Sequence, residues 1–564
     1  MERSWLIKTP DPQAVTALVR DLGIPLAIAK ILVNRGIIHA QKAQEFMELP
    51  PSMVPPPWEM EGMKRATEIL ENALRDGKNI AVYGDYDADG VTATALLVSY
   101  LKGRGGQVIY HIPHRIKGGY GLKTPAIKEL AKRGAQLLIT VDCGISNHQE
   151  VLSAQKEGME VIITDHHEPP SFLPQAQAIL HPKLGNYPFP HLAGVGVALK
   201  LVEAMAIKEG GEEERKEVWH QYLDLVALGT IGDMVLLTEE NRFYARFGLK
   251  KMSQSPRPGL AALIEVTKCK NRRITPWEVS FLLAPRVNAA GRMGEAERAF
   301  LLLLASEEEE GKALAQDLQR ENQRRQRVEE EIFQEALKVL ERKEPGPFIV
   351  AGKRGWHPGV IGIVASRLAE RFQRPAALVA FNEEGMGRGS ARSYSGVDIY
   401  TPLLRCMDHL RELGGHRAAA GFSLEEKCLR GFKETLWQET LRIIPYPLPP
   451  KPLEVEGEIE MEELNASLLR GLQSLAPFGE GHPEPIFLLR KVQPRQIRVV
   501  GNGHLKFTAV RRGIGVDAIA FGLGHQSETL HEGLVDLAFT PELNLWNGEK
   551  TLQLKVKAVR RSQE

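Results

Sequence analysis

Three carboxylates fall within five residues in GDYDADG (84–90): Asp85, Asp87 and Asp89. At that spacing they repel one another unless a cation neutralises them, so a metal is their natural partner. The same spacing opens an EF-hand loop, but here the twelfth position is Leu96 rather than Glu, and an apolar run, not a helix, precedes it. Two more apolar runs end in candidate ligands: residues 137–141 lead into Asp142-Cys-Gly144, and residues 161–163 lead into Thr164-Asp165-His166-His167. Alone, Asp142 reads as a helix N-cap and the histidine pair as solvated loop residues. Three such ends in one segment point instead to a shared site. Asp233 is a fourth candidate, behind an apolar stretch that periodicity assigns to neither helix nor strand; a turn aspartate is its plain alternative. Carboxylates with one or two imidazoles suit Mn²⁺ or Mg²⁺ rather than a thiolate-bound zinc. Such sites often hold two ions about 3.5–4 Å apart, which clamp the attacking water and leaving oxygen of a phosphate ester. The chemistry is metal-assisted phosphoester hydrolysis, and no Ser-His-Asp signature competes with it.

The elements that must position these residues are legible too. Apolar runs at 79–83, 108–112, 137–141 and 161–163 read as buried strands. Amphipathic patterns at 92–102, 124–133 and 147–157 separate them, which predicts an α/β fold with a parallel, doubly wound sheet. Ligands in such sheets bind beyond the carboxyl ends of the strands. A proline cluster (Pro50, Pro51, Pro55, Pro56, Pro57) closes a short helical start. From 307 to 343 the chain is charged and nearly free of Gly and Pro, with Val328, Ile332, Ala336 and Leu340 every four residues, as in one long connecting helix. A second α/β unit follows, opening with a strand at 347–350 and closing at the proline-rich 445–452. It contains two glycine-rich segments, 387–393 and 414–421, read as loops that bring backbone N–H groups and Ser, Arg and His donors to an anion. Beyond the linker the period turns to two, with Leu453, Val455, Ile459 and Met461 alternating with glutamates. Hairpin signals at 501–503 and Asn547-Gly548, and a helix near 463–475, complete a small β-barrel. The expected division is 1–55 helical segment, 56–305 metal domain, 306–345 connecting helix, 346–444 second α/β domain and 453–564 barrel.

Length and composition bound the rest. The 564 residues suffice for at least three domains, and 25% charged with 43% apolar residues excludes a disordered or fibrous chain. No apolar run approaches the 18 or so residues that span a bilayer, and the N-terminus has no secretory h-region, so no membrane role is expected. Cys143, Cys269, Cys406 and Cys428 are far apart and form no C-x-x-C pair, as expected of reduced thiols in a cytoplasmic protein. The net charge is +1, which by itself argues against a nucleic-acid coat. That sum is a cancellation. Residues 242–292 hold 11 Lys/Arg against 2 Asp/Glu and 489–512 hold 7 against none, whereas 453–486 carry 8 acidic residues and 1 basic. Nucleic acid is therefore expected along a track rather than over the whole surface.

Ten motifs follow one another in order: GDYDADG (84–90), PHRIKGGYG (113–121), VDCG (141–144), TDHH (164–167), GTIGDM (229–234), RVNAAGRM (286–293), GWHPGVIGIVASRL (355–368), GRGSARS (387–393), GGHRAAAGF (414–422) and PFGEGHPEP (477–485). Together they resemble the DHH phosphoesterase family over nearly the whole chain, and within it most closely the bacterial 5′→3′ exonucleases of single-stranded DNA. That resemblance implies two Mn²⁺ or Mg²⁺ ions held by Asp85, Asp87, Asp89, Asp142, His166 and Asp233, with Asp142 between them. His167 would orient the ligands or the phosphate. The second α/β unit is similar to the DHHA1 module, which with Arg115 would grip the 5′ end through Ser390, Arg392 and His416, while Arg286, Asn288 and Arg292 would contact the strand. The tail resembles an OB-fold, with Lys491, Arg495, Arg498, Lys506, Arg511 and Arg512 as its charge and Phe507 as a stacking residue. One departure is Gly-Asp-Met at 232–234, where the family more often has Ala-Asp-Val; the carboxylate is kept. The resemblance implies single-stranded DNA, a single-strand-binding protein and a helicase as partners of a monomeric enzyme in DNA repair and recombination. Two other activities bear on the same residues: a phosphodiesterase of short oligonucleotides or cyclic dinucleotides, and a non-catalytic DNA-binding scaffold. The N-terminal segment and barrel weigh against the first, and the complete set of carboxylates against the second.

Overall fold

The structure is a computed structural model that describes residues 4–116, 118–269, 273–341, 346–546 and 549–562. It divides into two compact units, residues 55–236 with 240–449, and residues 1–54 with 237–239 and 450–564.

In the larger unit five parallel strands lie in the order Gln107–His111, Asn79–Tyr83, Leu137–Val141, Glu160–Thr164, Ala178–Leu180. The Leu137–Val141 strand is buried throughout, as a strand covered by helices on both faces must be. Helices Ala88–Gly103, Thr124–Lys132 and His148–Lys156 occupy the expected intervals. The first begins four residues before its expected start because Asp87 caps it. The apolar stretch before Asp233 is helical. It ends a helical run, Gly194–Gly232, that breaks at Gly211, where φ is 71°.

A helix from Glu308 to Glu341 carries three glutamates in its first turn, where they complement the helix dipole. The expected end at Lys343 lies outside the described residues. Its stripe of Ile332, Ala336 and Leu340 shares a core with helix Ile361–Phe372 and strands Ile349–Arg354 and Ala376–Phe381. The second sheet has the order Glu412–Gly415, Ala419–Glu425, Met386–Arg392, Ala376–Phe381, Ile349–Arg354, and only the last pair is parallel. The two glycine-rich segments are therefore largely strands, not loops. A Cβ at Gly387 would stand 2.5 Å from the Phe381 ring, and one at Gly389 would overlap Phe422. These two glycines make room for core aromatic rings rather than for an anion.

In the smaller unit five strands close into a barrel: Phe487–Val500, His504–Arg511, Ile514–Ala520, Glu549–Arg561 and Val535–Trp546, the last pairing back to the first. By chain position this is the order 1-2-3-5-4, a Greek-key barrel of the OB type. The Gly501–Gly503 turn joins the first two strands, and the Asn547-Gly548 turn lies outside the described residues. The period-two segment after the linker is two short strands, Leu453–Val455 and Gly457–Glu458, and Met461 begins a helical turn. Residues 1–54 do not stand alone. Leu18, Ile28 and Ile31 share one core with Leu468, Leu472 and Val492, and strand Trp5–Ile7 pairs with Leu453–Val455. Phe507, expected to stack on bases, is buried in that core. Arg511 and Arg512 pair with Glu460 and Arg490 with Glu458, so the acidic segment neutralises part of the basic one.

A candidate dinuclear metal centre

In chain order the parallel sheet reads 2-1-3-4-5, so the direction of winding reverses between Asn79–Tyr83 and Leu137–Val141. The crevice at such a reversal is where this class of sheet binds ligands. Asp85 and Asp87 leave one side of it and Asp142 the other. The Asp87 carboxylate accepts the N–H groups of Asp89 (3.0 Å) and Gly90 (3.1 Å), tying the loop to its helix. Asp89 accepts two N–H groups from the start of the Gly194–Gly232 helix, Gly194 at 2.6 Å and Val195 at 2.8 Å. A side chain at 194 cannot fit: its Cβ would lie 2.6 Å from the Asp142 carboxylate. Asp142 itself has φ 61°, an uncommon conformation for a residue other than glycine and one that turns its carboxylate into the crevice.

His166 Nε2 lies 3.1 Å from Asp142 Oδ1, 3.6 Å from Asp233 Oδ2 and 3.7 Å from Asp89 Oδ2. Two triads, Asp85–Asp87–Asp142 and Asp89–His166–Asp233, could each hold an ion, and a third grouping joins Asp142 to His166 and His167. The electrostatics fit a cation. Burial, then the charge of Asp87, raises the pKa of Asp85 well above the usual range and that of Asp89 to about 7. Burial, then the neighbouring aspartates, raises Asp142 and Asp233 as well. Burial and then the charge of His167 push His166 down to about 3, so its ring is neutral at pH 7. The short His166–Asp142 contact is thus not an ion pair, and a cation between the two would be accepted by both. Asp85 Oδ1, Asp142 Oδ1 and His166 Nε2 are buried without a hydrogen-bond partner, as unliganded metal ligands would be.

Two residues that the motifs contained but the chemistry did not single out hold His167. Its Nδ1 is 2.8 Å from Asp165 Oδ1 and 2.9 Å from the Tyr120 hydroxyl, which also donates to the Asp142 carbonyl at 3.3 Å. Burial opposes charge on His167, but the Asp165 hydrogen bond and charge outweigh it and raise the imidazole to about 9. Burial likewise opposes ionisation of Asp165, yet His167 and the Ile145 N–H lower it to about 2. Asp165 also accepts the backbone N–H groups of His166 and His167, fixing the main chain that carries both rings. An aspartate immediately before two histidines was the available signal.

Beside the carboxylates lies a cationic cradle. Burial and then the charges of Arg115 and Arg392 lower Arg292 to about 9, and burial and Arg115 lower Arg392. Arg115 rests over the Tyr86 ring at 4.8 Å, and Arg392 donates to Ser390 Oγ at 2.9 Å. The start of helix Ile361–Phe372 packs on that pair, for a Cβ at Gly362 would stand 2.8 Å from Arg392 and 2.9 Å from Ser390. Three neighbouring guanidiniums beside a helix N-terminus are the chemistry that suits an anion. The other three predicted contacts are placed differently. Asn288 Oδ1 accepts the Ala88 N–H at 2.8 Å, and Arg286 donates to Gln319 Oε1 (2.7 Å) and the Leu282 carbonyl (2.5 Å). Both therefore brace helices within the protein. His416 lies on the exposed turn between strands Glu412–Gly415 and Ala419–Glu425 of the second sheet.

Comparison with known proteins agrees with this geometry. The chain matches the DHH family, N-terminal domain, over residues 79–230, the DHHA1 domain over 346–440 and the RecJ OB domain over 455–558. It is 36% identical to the single-stranded-DNA-specific exonuclease RecJ of Bacillus subtilis, over 98% of this chain and 70% of that one. To its counterpart in Escherichia coli it is 35% identical, over 94% and 95% of the two chains. The crystal structure of RecJ in complex with Mn²⁺ from Thermus thermophilus covers all of this chain and 80% of its own, with 34% identity and a TM-score of 0.85; the Mg²⁺ complex gives 31% identity, 79% coverage of its own chain and a TM-score of 0.77. The chain belongs to the RecJ family of DHH phosphoesterases.

Proposed function

We propose that the protein is a metal-dependent exonuclease that digests single-stranded DNA from the 5′ end and releases 5′-mononucleotides. One observation carries this reading: unpartnered buried ligand atoms of Asp85, Asp142 and His166 open on the crevice beside the Arg115–Arg292–Arg392 cradle. Asp85, Asp87 and Asp142 would hold one Mn²⁺ or Mg²⁺ ion and Asp89, His166 and Asp233 the other, with Asp142 shared. Two such ions supply, when bound, a water activated at neutral pH and charge neutralisation on the scissile phosphate. The residues do the rest. Asp165 holds His167 protonated, which places a donor beside the carboxylates. The cradle, with Ser390 and the helix start behind it, fixes the terminal phosphate so that the first phosphodiester meets the ligands. His416 is proposed to approach the same strand from its exposed turn.

The proposed division of labour is metal domain 56–305, connecting helix 306–345, DHHA1 domain 346–444 and OB barrel 453–564, with residues 1–55 a helical support of the barrel. The same reading proposes a monomer acting with a single-strand-binding protein and a helicase in the cytoplasm. Four free cysteines fit the cytoplasm, and among the described residues no helix is long and apolar enough to cross a membrane. Polarity is tested with one strand labelled at either end. Immediate release of a labelled mononucleotide from the 5′-labelled strand alone supports the reading. Rapid cleavage of dinucleotides with long strands left intact favours the phosphodiesterase alternative.

A further inference from the structure

The helix that carries Asn288 and Arg292 begins earlier than the site needs. Residues 276–293 run as one helical rod, Pro276–Glu278, a π-helical turn Val279–Leu283 and Ala284–Met293. At its outer end Trp277 and Phe281 lie side by side, ring centroids 5.4 Å apart and planes inclined by 31°. They are 55% and 63% exposed, so this is not a core pair. Two large rings facing water together, one helical turn apart, need a reason. π-turns are rare and are frequently found at functional sites.

Position supplies the reason. Successive spacings of four, seven and four residues set Trp277, Phe281, Asn288 and Arg292 along one side of the rod. The inner end belongs to the site, since Asn288 accepts the Ala88 N–H and a Cβ at Gly291 would meet the Tyr86 carbonyl at 2.5 Å. The surrounding segment, 242–292, carries 11 Lys/Arg against 2 Asp/Glu; Arg242 is buried and Lys251 and Arg257 pair with Asp224, and the excess stays positive without them. Burial and then Arg273 lower Arg246, so two guanidiniums adjoin where this segment precedes the rod. Exposed aromatic faces within a basic stretch suit a single strand, whose phosphates follow the charge while its bases stack. At about 1.5 Å per residue Phe281 lies roughly 17 Å along the rod from Arg292. At the roughly 3.4 Å rise of a fully stacked strand, that is about five nucleotides.

We propose that Trp277 and Phe281 form a stacking platform for bases about five nucleotides or more from the end being cleaved. The inference rests on the exonuclease reading and adds a length dependence to it. A strand of about three nucleotides cannot reach the platform, and one of about fifteen can. The full chain with Trp277→Ala and Phe281→Ala together is compared with the parent on both substrates. The expected result is a KM raised at least about tenfold on the longer strand, as loss of roughly 1–3 kcal/mol per stacked base requires, with kcat and the short-strand kcat/KM unchanged. Trp277→Phe, which keeps a ring, restores the longer strand's KM. An unchanged KM on the longer strand overturns the platform, and so does an equal loss on both lengths, which marks a structural role. Failure of the parent to digest either strand contradicts the exonuclease reading itself, separately from the platform.

Discussion

Removing the metal should make this protein less stable as pH rises, and the site residues fix where. Asp89 titrates near 7 in the folded chain against an ordinary value of 3.8. A carboxyl raised on folding stabilises the protonated form, so its effect on stability is lost as pH rises from the unfolded to the folded value. At about 1.4 kcal/mol per unit, ionising Asp89 without a cation costs about 4 kcal/mol. Asp85, Asp142 and Asp233 shift the same way. His166 opposes them: lowered from 6.5 to about 3, it favours folding by about 5 kcal/mol as pH climbs through that interval, and adds nothing further above 6.5. His167, raised to about 9, loses its favourable charge between 6.5 and 9, though its exposed edge lets water weaken that effect. Above pH 6.5 these site groups therefore all push one way. In chelator, the thermal midpoint should fall between pH 6.5 and 9. Added Mn²⁺ should raise it more at the upper end, because it binds the ionised form. Asp142→Asn, which removes one of the crowded charges, should melt higher than the parent in chelator at high pH. Differential scanning calorimetry checks all three. A chelated protein that is equally stable or more stable at pH 9, or an Asp142→Asn variant with the parent's pH slope, would mean that these carboxyls do not govern the pH dependence.

Three further outcomes follow from the geometry. Asp165→Asn frees the His167 ring and should lower kcat about 10- to 100-fold with the fold retained by circular dichroism, since groups that orient ligands typically carry that much. Arg392→Lys keeps the charge but loses the planar fork held by Ser390, so KM for a 5′-phosphorylated strand should rise while that for a 5′-hydroxyl strand barely moves. Gly389→Val drives two methyl groups into the Phe422 ring and should unfold the second sheet, visible as a lowered melting midpoint and early proteolysis within residues 346–444.

Four of the five strands in the metal domain's sheet were legible because parallel strands covered by helices are nearly all apolar and end in polar residues. Asp85, Asp87, Asp142 and His166 could be found for the same reason: they stand where apolar runs stop. Other features had no local signature. The N–H donors to Asp89 come from Gly194 and Val195, more than a hundred residues away. Asn288 looks like a DNA contact in sequence, and only the fold shows its carboxamide turned to the Ala88 N–H. Glycine-rich strands read as loops because the space they leave is filled by Phe381 and Phe422, whose pairing is a tertiary fact. Phe507 lies among cations in sequence, yet strand alternation turns its ring into the barrel core. The basic run 489–512 is weaker than its count for a similar reason: Glu458 and Glu460 meet Arg490, Arg511 and Arg512 only after the barrel closes.

The central claim is that carboxylates converging on Asp142 hold the ions that cut a single strand from its 5′ end. The direct measurement is Mn²⁺-dependent release of 5′-mononucleotide from a 5′-labelled single strand by the parent and by Asp142→Asn, with strand binding followed in parallel. The account predicts rapid release by the parent, and release lowered by at least about a thousandfold in a folded variant that still binds the strand. Digestion by Asp142→Asn at the parent's rate would contradict it.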